Sequence, residues 1–368
     1  MAKGEEAYAS EIAAGLARAY ESEETEVISI EVGDARLAIV SDLHKGARDG
    51  ADDFLRCERA YHAALAGYLE RGFTLCVVGD GDELWENRPE EVLGAYKETL
   101  ALEAEFHAAG RYHRFWGNHD DIWRYPDQVA RHLHGTFPEL KVREALRIRL
   151  TRGGEPAGEL FLVHGHQGTL ESERFSWFSR LVVRYIWRPL QRRLGMASNT
   201  PARDYALRQR HDSAMFSWAR AEPNHPILIA GHTHRPVFGS SKPQPSGQRP
   251  DSLVAEELER ARAEEEPDLE RIAALRSELE LIRAEQRRGG PAPLPIEPPC
   301  YFNTGCCSFG DGDVTGIEIA DGEIRLVRWL DDEEQPRPKL LVRDDLADVL
   351  GAVAAPPPTA GEPSSTPA

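Results

Sequence analysis

Five short stretches of this chain hold the side chains that could do chemistry. They are Asp42-Leu43-His44, Gly79-Asp80, Gly117-Asn118-His119-Asp120, His164-Gly165-His166 and Gly231-His232-Thr233-His234. Carboxylate, imidazole and amide oxygen are the donors that a divalent cation accepts, and a mixed N/O set suits Mn, Fe or Zn better than Ca. A lone Asp-x-His pair arises by chance. Five such stretches, each directly after a strand-like run, point instead to one metal site.

The elements that must position them are legible as apolar runs. Ala38-Ile39-Val40-Ser41, Val77-Val78, Tyr112 to Trp116, Leu160 to Val163 and Ile227 to Ala230 each end abruptly at one of these stretches. Strands covered on both faces read as continuous apolar runs, and functional groups in α/β folds collect beyond their carboxyl ends. Residues 5 to 20 read as an amphipathic helix with Ile12, Leu16 and Tyr20 at four-residue spacing, and Thr25 to Glu31 alternates like an edge strand. Helical patterns over Asp53 to Glu70 and Pro89 to Ala109 separate successive strands, as in crossover units of a parallel or mixed sheet. Val142 to Val163 reads as two strands around Arg152-Gly153-Gly154, and Val314 to Ile319 with Ile324 to Trp329 as a hairpin around Asp321-Gly322.

Composition narrows the class. A chain of 368 residues can bury a full core, and its net charge of -18 argues against a broad nucleic-acid surface, which is basic. The five cysteines, Cys57, Cys76, Cys300, Cys306 and Cys307, follow neither a disulfide nor a zinc-finger spacing. No stretch approaches the ~20 apolar residues of a membrane span, and the N-terminus lacks an apolar signal core. The expected location is therefore cytoplasmic, with peripheral contact to the inner membrane face left open.

The ordered set of motifs resembles the calcineurin-like metallophosphoesterase family over about Ala38 to Arg235, with Tyr301 to Gly305 similar to its late strand. The resemblance implies an α/β (α+β) fold, a β-sandwich of mixed sheets flanked by helices, with a helical insertion. It implies two divalent cations, manganese first with Fe or Zn as alternatives. Asp42, His44 and His234 would hold one, Asn118, His164 and His232 the other, and Asp80 would bridge them. A cation pair about 4 Å apart makes hydroxide available near neutral pH and neutralises charge on a phosphate during in-line attack. His119 is the implied proton donor to the leaving group, with Asp120 orienting its ring, and Arg235 and Lys45 are candidate phosphate contacts. The family often has an acid at the third place after the bridging aspartate, here Asp80, where this chain has Glu83, and the resemblance implies that it stands behind the metal ligands. His62, His107, His132, His134, His211 and His225 read as surface or packing residues, and His166 either faces substrate or fills its loop.

The frame divides the chain into an N-terminal helix (1–24), a core (25–238) with an insertion at 167–225, a loop and acidic helical arm (239–299), C-terminal strands (300–345) and a disordered tail (354–368). Residues 174–193 alternate aromatic and apolar side chains with Arg174, Arg180, Arg184, Arg188, Arg192 and Arg193. Such a helix fits a lipid headgroup surface or a phosphorylated amphiphile, and equally a core-packed helix with snorkelling arginines. Heptad-like spacing within 251–288 suggests a helical pair or a dimer contact. Gly79-Asp80-x-x-Glu83-Leu84-Trp85 and Gly231-His232-Thr233-His234-Arg235-Pro236 are also similar to the branch that cleaves UDP-2,3-diacylglucosamine, which commonly has arginine in place of His119 and lacks the 251–288 arm. The expected substrate is a phosphorylated small molecule or a lipid-linked or nucleotide-sugar pyrophosphate. A non-catalytic metal scaffold and a phosphodiesterase or nuclease are the competing readings.

Overall fold

Side-chain alternation sorts the strands into two layers with a shared core. The computed structural model describes residues 2–168, 205–240, 258, 259, 262, 296–308, 312–331 and 335–354. The 174–193 insertion, almost all of the 251–288 arm and the tail beyond Ala354 lie outside the described residues. One sheet contains β1 (Glu26–Glu31), β6 (Ala145–Arg152), β7 (Glu155–Val163), β8 (Ile227–Ala230), β9 (Pro236–Phe238) and β10 (Tyr301–Thr304), in the order β1-β6-β7-β8-β10-β9. The other runs β13 (Arg337–Asp345), β12 (Glu323–Leu330), β11 (Val314–Ala320), β2 (Leu37–Val40), β3 (Thr74–Val78), β4 (Tyr112–Phe115), β5 (Val142–Arg143). Both sheets are mixed. The parallel pairs β2/β3/β4 and β7/β8/β10 bring their carboxyl ends to the site.

In β2, Leu37 and Ile39 enter one core and Ala38 and Val40 the other; in β3, Cys76 and Val78 join the first, Leu75 and Val77 the second. That period of two places the first core between the sheets and the second beneath helices α2 (Glu58–Glu70) and α4 (Lys97–Ala108). On the six-stranded sheet, α1 (Ala2–Glu21) and α6 (Tyr205–Ala221) pack against Phe161, whose ring meets Tyr20 and Trp218. The result is the sandwich of mixed sheets flanked by helices that the resemblance implies. All five cysteines are buried and free, Cys76 as a small core residue of β3.

Four local details depart from the sequence expectations. The helix expected over Pro89 to Ala109 is two, α3 (Pro89–Ala95) and α4, because Tyr96 leaves helical dihedrals (φ -113°, ψ 35°) to bury its ring against Phe54 and reach Asp52 with its hydroxyl. The segment from Asp53 begins with a short 3-10 turn before α2 starts at Glu58. A helix not anticipated, α7 (Leu346–Ala354), follows β13, with Asp345 accepting the backbone N–H groups of Ala347 and Asp348 as its cap. A further short helix, α5 (Pro126–His132), follows β4. No helix among the described residues is long and apolar enough to cross a membrane.

Ile317 is fully buried at the middle of the larger sheet, paired with Ile39 and Leu326. Ile317→Ala is expected to lower stability by about 2–5 kcal/mol through lost burial and the cavity left behind, measured as a reduced urea midpoint with an unchanged slope.

Candidate metal centre

Backbone strain marks the site before any side chain is considered. Asp42, His44, Asp80, His232 and His234 all have φ between 49° and 69°, a left-handed region that non-glycine residues seldom occupy. Surrounding bonds enforce it. The N–H groups of Asp42, His44 and Lys45 donate to the carbonyls of Gly79, Asp80 and Gly81, so the loops after β2 and β3 continue to pair beyond the strands. Asp42 Oδ2 accepts the His232 N–H at 2.9 Å and the Ser41 hydroxyl, which joins the two sheets across the site. Close approach fixes two glycines: a methyl at Gly117 would overlap the Asp80 carboxylate, and one at Gly231 would overlap Ser41 and Asp42.

The side chains converge as three overlapping groups. Donor atoms of Asp42, His44 and His234, of His44, Asp80 and His119, and of Asp80, His164 and His232 each lie within 4.8 Å of one another. His44 Nε2 and His234 Nε2 are 3.2 Å apart, and His234 Nε2 is 3.3 Å from Asp42 Oδ1. His164 donates Nδ1–H to the Val78 carbonyl at 2.9 Å, which leaves Nε2 facing Asp80 Oδ2 at 3.1 Å without hydrogen-bond geometry. Asp42 Oδ1, Asn118 Oδ1 and His164 Nε2 are buried and make no hydrogen bond. Buried polar atoms are normally satisfied, so orphaned acceptors of three kinds, on loops from both sheets, fit a cation rather than a proton donor.

Charge within the cluster sorts the imidazoles. Burial opposes charging of His44 and His164, but the carboxylates beside them outweigh it: Asp42 and Glu83 hold His44 well above the usual histidine value, and Asp80 pushes His164 up to about 9. Burial with neighbouring imidazoles depresses His232 well below that value, and burial with His44 nearby brings His234 down to about 4. Despite its burial, Asp80 is held far below the normal carboxylate range by His164 and His119.

His119 is fixed by Glu83 and not by Asp120. Glu83 Oε2 accepts from His119 Nδ1 at 2.7 Å and from His44 Nδ1 at 3.2 Å, while Trp85 stacks on the His119 ring at 4.2 Å between centroids. The Asp120 carboxylate instead accepts the backbone N–H groups of Gly81, Asp82 and Gly117, tying the loops after β3 and β4 together. Lys45, expected as a phosphate contact, is instead fully buried, with its ammonium 3.0 Å from Glu103 and 3.6 Å from Asp82. With Arg114, which pairs with Asp82 and approaches Glu103 at 3.9 Å, it forms a neutral quartet with no exposed side chain beneath the metal loops. The Arg235 guanidinium pairs with buried Asp212 through Nε at 3.0 Å and Nη2 at 2.9 Å. Asp212 also accepts the Thr233 and Tyr301 hydroxyls, so this arginine holds the His232-Thr233-His234 turn in place. His166 is buried beside His164 with its ring edge on Trp116, filling its loop.

A family model described as calcineurin-like phosphoesterase matches residues 35–236. The chain belongs to that family. No curated protein matches it. The match begins just before β2 and ends just after His234, so it spans every loop that contributes to the three groups. Hydrolysis of phosphoesters and binding of divalent metal are what membership implies, and the donor groups here fit both.

Of the seven residues read from sequence as ligands, Asp42, His44, Asp80, His164, His232 and His234 fall within the three groups, and Asn118 stands on the loop after β4 with its Oδ1 buried; the residues that hold these loops are less legible. Glu103, Arg114, Asp212 and Tyr301 lie far along the chain from the loops they anchor. Removing one partner of a buried ion pair strands the other, so Glu103→Leu is expected to destabilise the fold by about 3–5 kcal/mol. Lys45→Met with Glu103→Leu should restore most of that loss in a denaturant titration. A double variant no more stable than the single one would contradict the pairing.

Proposed function

We propose that the chain hydrolyses a phosphoester or pyrophosphate bond using two divalent cations. Asp42, His44 and His234 would hold one and Asn118, His164 and His232 the other, with Asp80, a member of two of the three groups, shared between them. The observation that carries this reading is the set of orphaned donors, Asp42 Oδ1, Asn118 Oδ1 and His164 Nε2. Cations bound there supply positive charge against the phosphate oxygens and activate water near neutral pH. Manganese is the metal proposed, with iron and zinc next, because the donors mix imidazole, amide and carboxylate.

The chain's own residues supply orientation and a proton. Glu83 and Trp85 hold the His119 ring, and with Nδ1 engaged by Glu83, Nε2 is the nitrogen left to protonate a leaving oxygen. Glu83 also holds His44, so one carboxylate aligns a ligand and the proton donor. Asp120 keeps the loops bearing Asp80 and Asn118 in register. The proposed substrate is a phosphorylated small molecule or a lipid-linked pyrophosphate; the arginine- and aromatic-rich sequence of 174–193 supports the second, and the net charge of -18 disfavours nucleic acid. A metal-binding scaffold without turnover is the second reading, and the ordered His119 and Glu83 pair disfavours it.

The test is a substrate panel of aryl phosphate, phosphodiester and lipid-linked pyrophosphate run with Mn, Mg, Zn and Fe. Metal-dependent turnover of at least one substrate is expected, and none with any metal would favour the scaffold. Asp80→Asn is expected to abolish turnover and weaken both cations. His119→Ala is expected to lower kcat by about 10²–10⁴-fold while metal content stays unchanged. Equal metal loss in the two variants would remove His119 from the proton-donor role.

A further inference from the structure

Helix α1 lies outside the family match, yet its backbone is set directly onto the loop that bears His164. A methyl added at Gly15 would lie 2.5 Å from Gly168 N and 2.6 Å from the Gln167 carbonyl carbon, and one at Gly168 would overlap the Glu11 carbonyl. Helix and loop therefore touch main chain to main chain. A second contact runs through side chains. His211 Nε2 lies 2.6 Å from the Gly165 carbonyl, and the Tyr8 hydroxyl lies 2.9 Å from His211 Nδ1. A carbonyl only accepts, so Nε2 carries the proton and Nδ1 accepts from Tyr8. The Gly165 carbonyl thereby sets the tautomer, and Tyr8 fixes the tilt, of a buried ring that packs on His232 with centroids 4.8 Å apart.

The two ligand groups are thus anchored differently. Gly165 follows His164 directly and His211 packs on His232, so both α1 contacts reach the group formed by Asp80, His164 and His232. The group of Asp42, His44 and His234 is held from Ser41, Glu83 and the Cys307 backbone N–H, which donates to the Asp42 carbonyl. We propose that Tyr8 and Gly15 make α1 a positioning element for the cation held by His164 and His232, so that the N-terminal helix sets the affinity of one of the two cations. The proposal rests on the two-cation reading above. Groups behind metal ligands change affinity by about 10- to 100-fold when removed, which makes the effect measurable.

The test uses the full chain as wild type, Tyr8→Phe and Gly15→Ala, titrated with Mn and followed by calorimetry and electron paramagnetic resonance, with a thermal midpoint for each. Wild type is expected to bind two cations. Tyr8→Phe should weaken one of them about tenfold and leave the other unchanged in a folded protein. Gly15→Ala should act on the same cation; if it fails to fold, Tyr8→Phe decides alone. In a His232→Ala background, Tyr8→Phe should have no further effect on the remaining cation. Two cations in wild type with Tyr8→Phe titrating like wild type, or with both cations weakened equally, overturns the inference and leaves the two-cation reading standing. One cation in wild type overturns both.

Discussion

Buried negative charge is the constraint around which this molecule is arranged. Asp42 and Asp80 sit between two sheets with 1% exposure or less, and moving an isolated carboxylate into such surroundings costs several kcal/mol unless something positive faces it. Here the imidazoles of His44, His164 and His234 face them, and the loops carry left-handed residues and glycines so that the carboxylates and rings can meet at all. Such strain persists only where neighbouring bonds over-determine it. The paired loops after β2 and β3 and the Asp42 bond to the His232 N–H meet that requirement.

Beneath the loops, a second set of charges is neutral and fully enclosed. Lys45, Asp82, Glu103 and Arg114, with the hydroxyls of Tyr61 and Tyr112 and the indole of Trp123, fix the loop backbones from below. On the opposite side Asp212 performs the same task for the His232 turn. Rigid support of this kind is what a preorganised site requires, because a ligand set displaced by an ångström loses its cation or its reactivity.

The parts of this design that were legible in the sequence are local. Apolar runs that stop at Gly-Asp, Gly-Asn-His or Gly-His mark strand ends, and the loops they feed do meet at one edge. The hairpin turns at Gly153-Gly154 and Asp321-Gly322 were equally readable, since both adopt positive φ. What escaped was pairing across the chain. Lys45 follows His44 directly, but its partner Glu103 lies on α4, and nothing local tells a phosphate-binding lysine from a buried one. Asp120 follows His119, yet Glu83 holds that ring because the loop after β3 brings it closer. His211 looked like a packing histidine until Tyr8 and Gly165 were placed on either side of it. The apolar spacing of Leu346, Val349, Leu350 and Val353 does signal α7 and went unread beside the polar tail.

The central claim, that Asp80 is the carboxylate common to a pair of cations, is tested most directly by anomalous diffraction from crystals soaked in manganese. The account predicts two peaks, one bounded by Asp42, His44 and His234 and one by Asn118, His164 and His232, with Asp80 within bonding distance of both. A single peak, or two peaks of which only one touches Asp80, would contradict it.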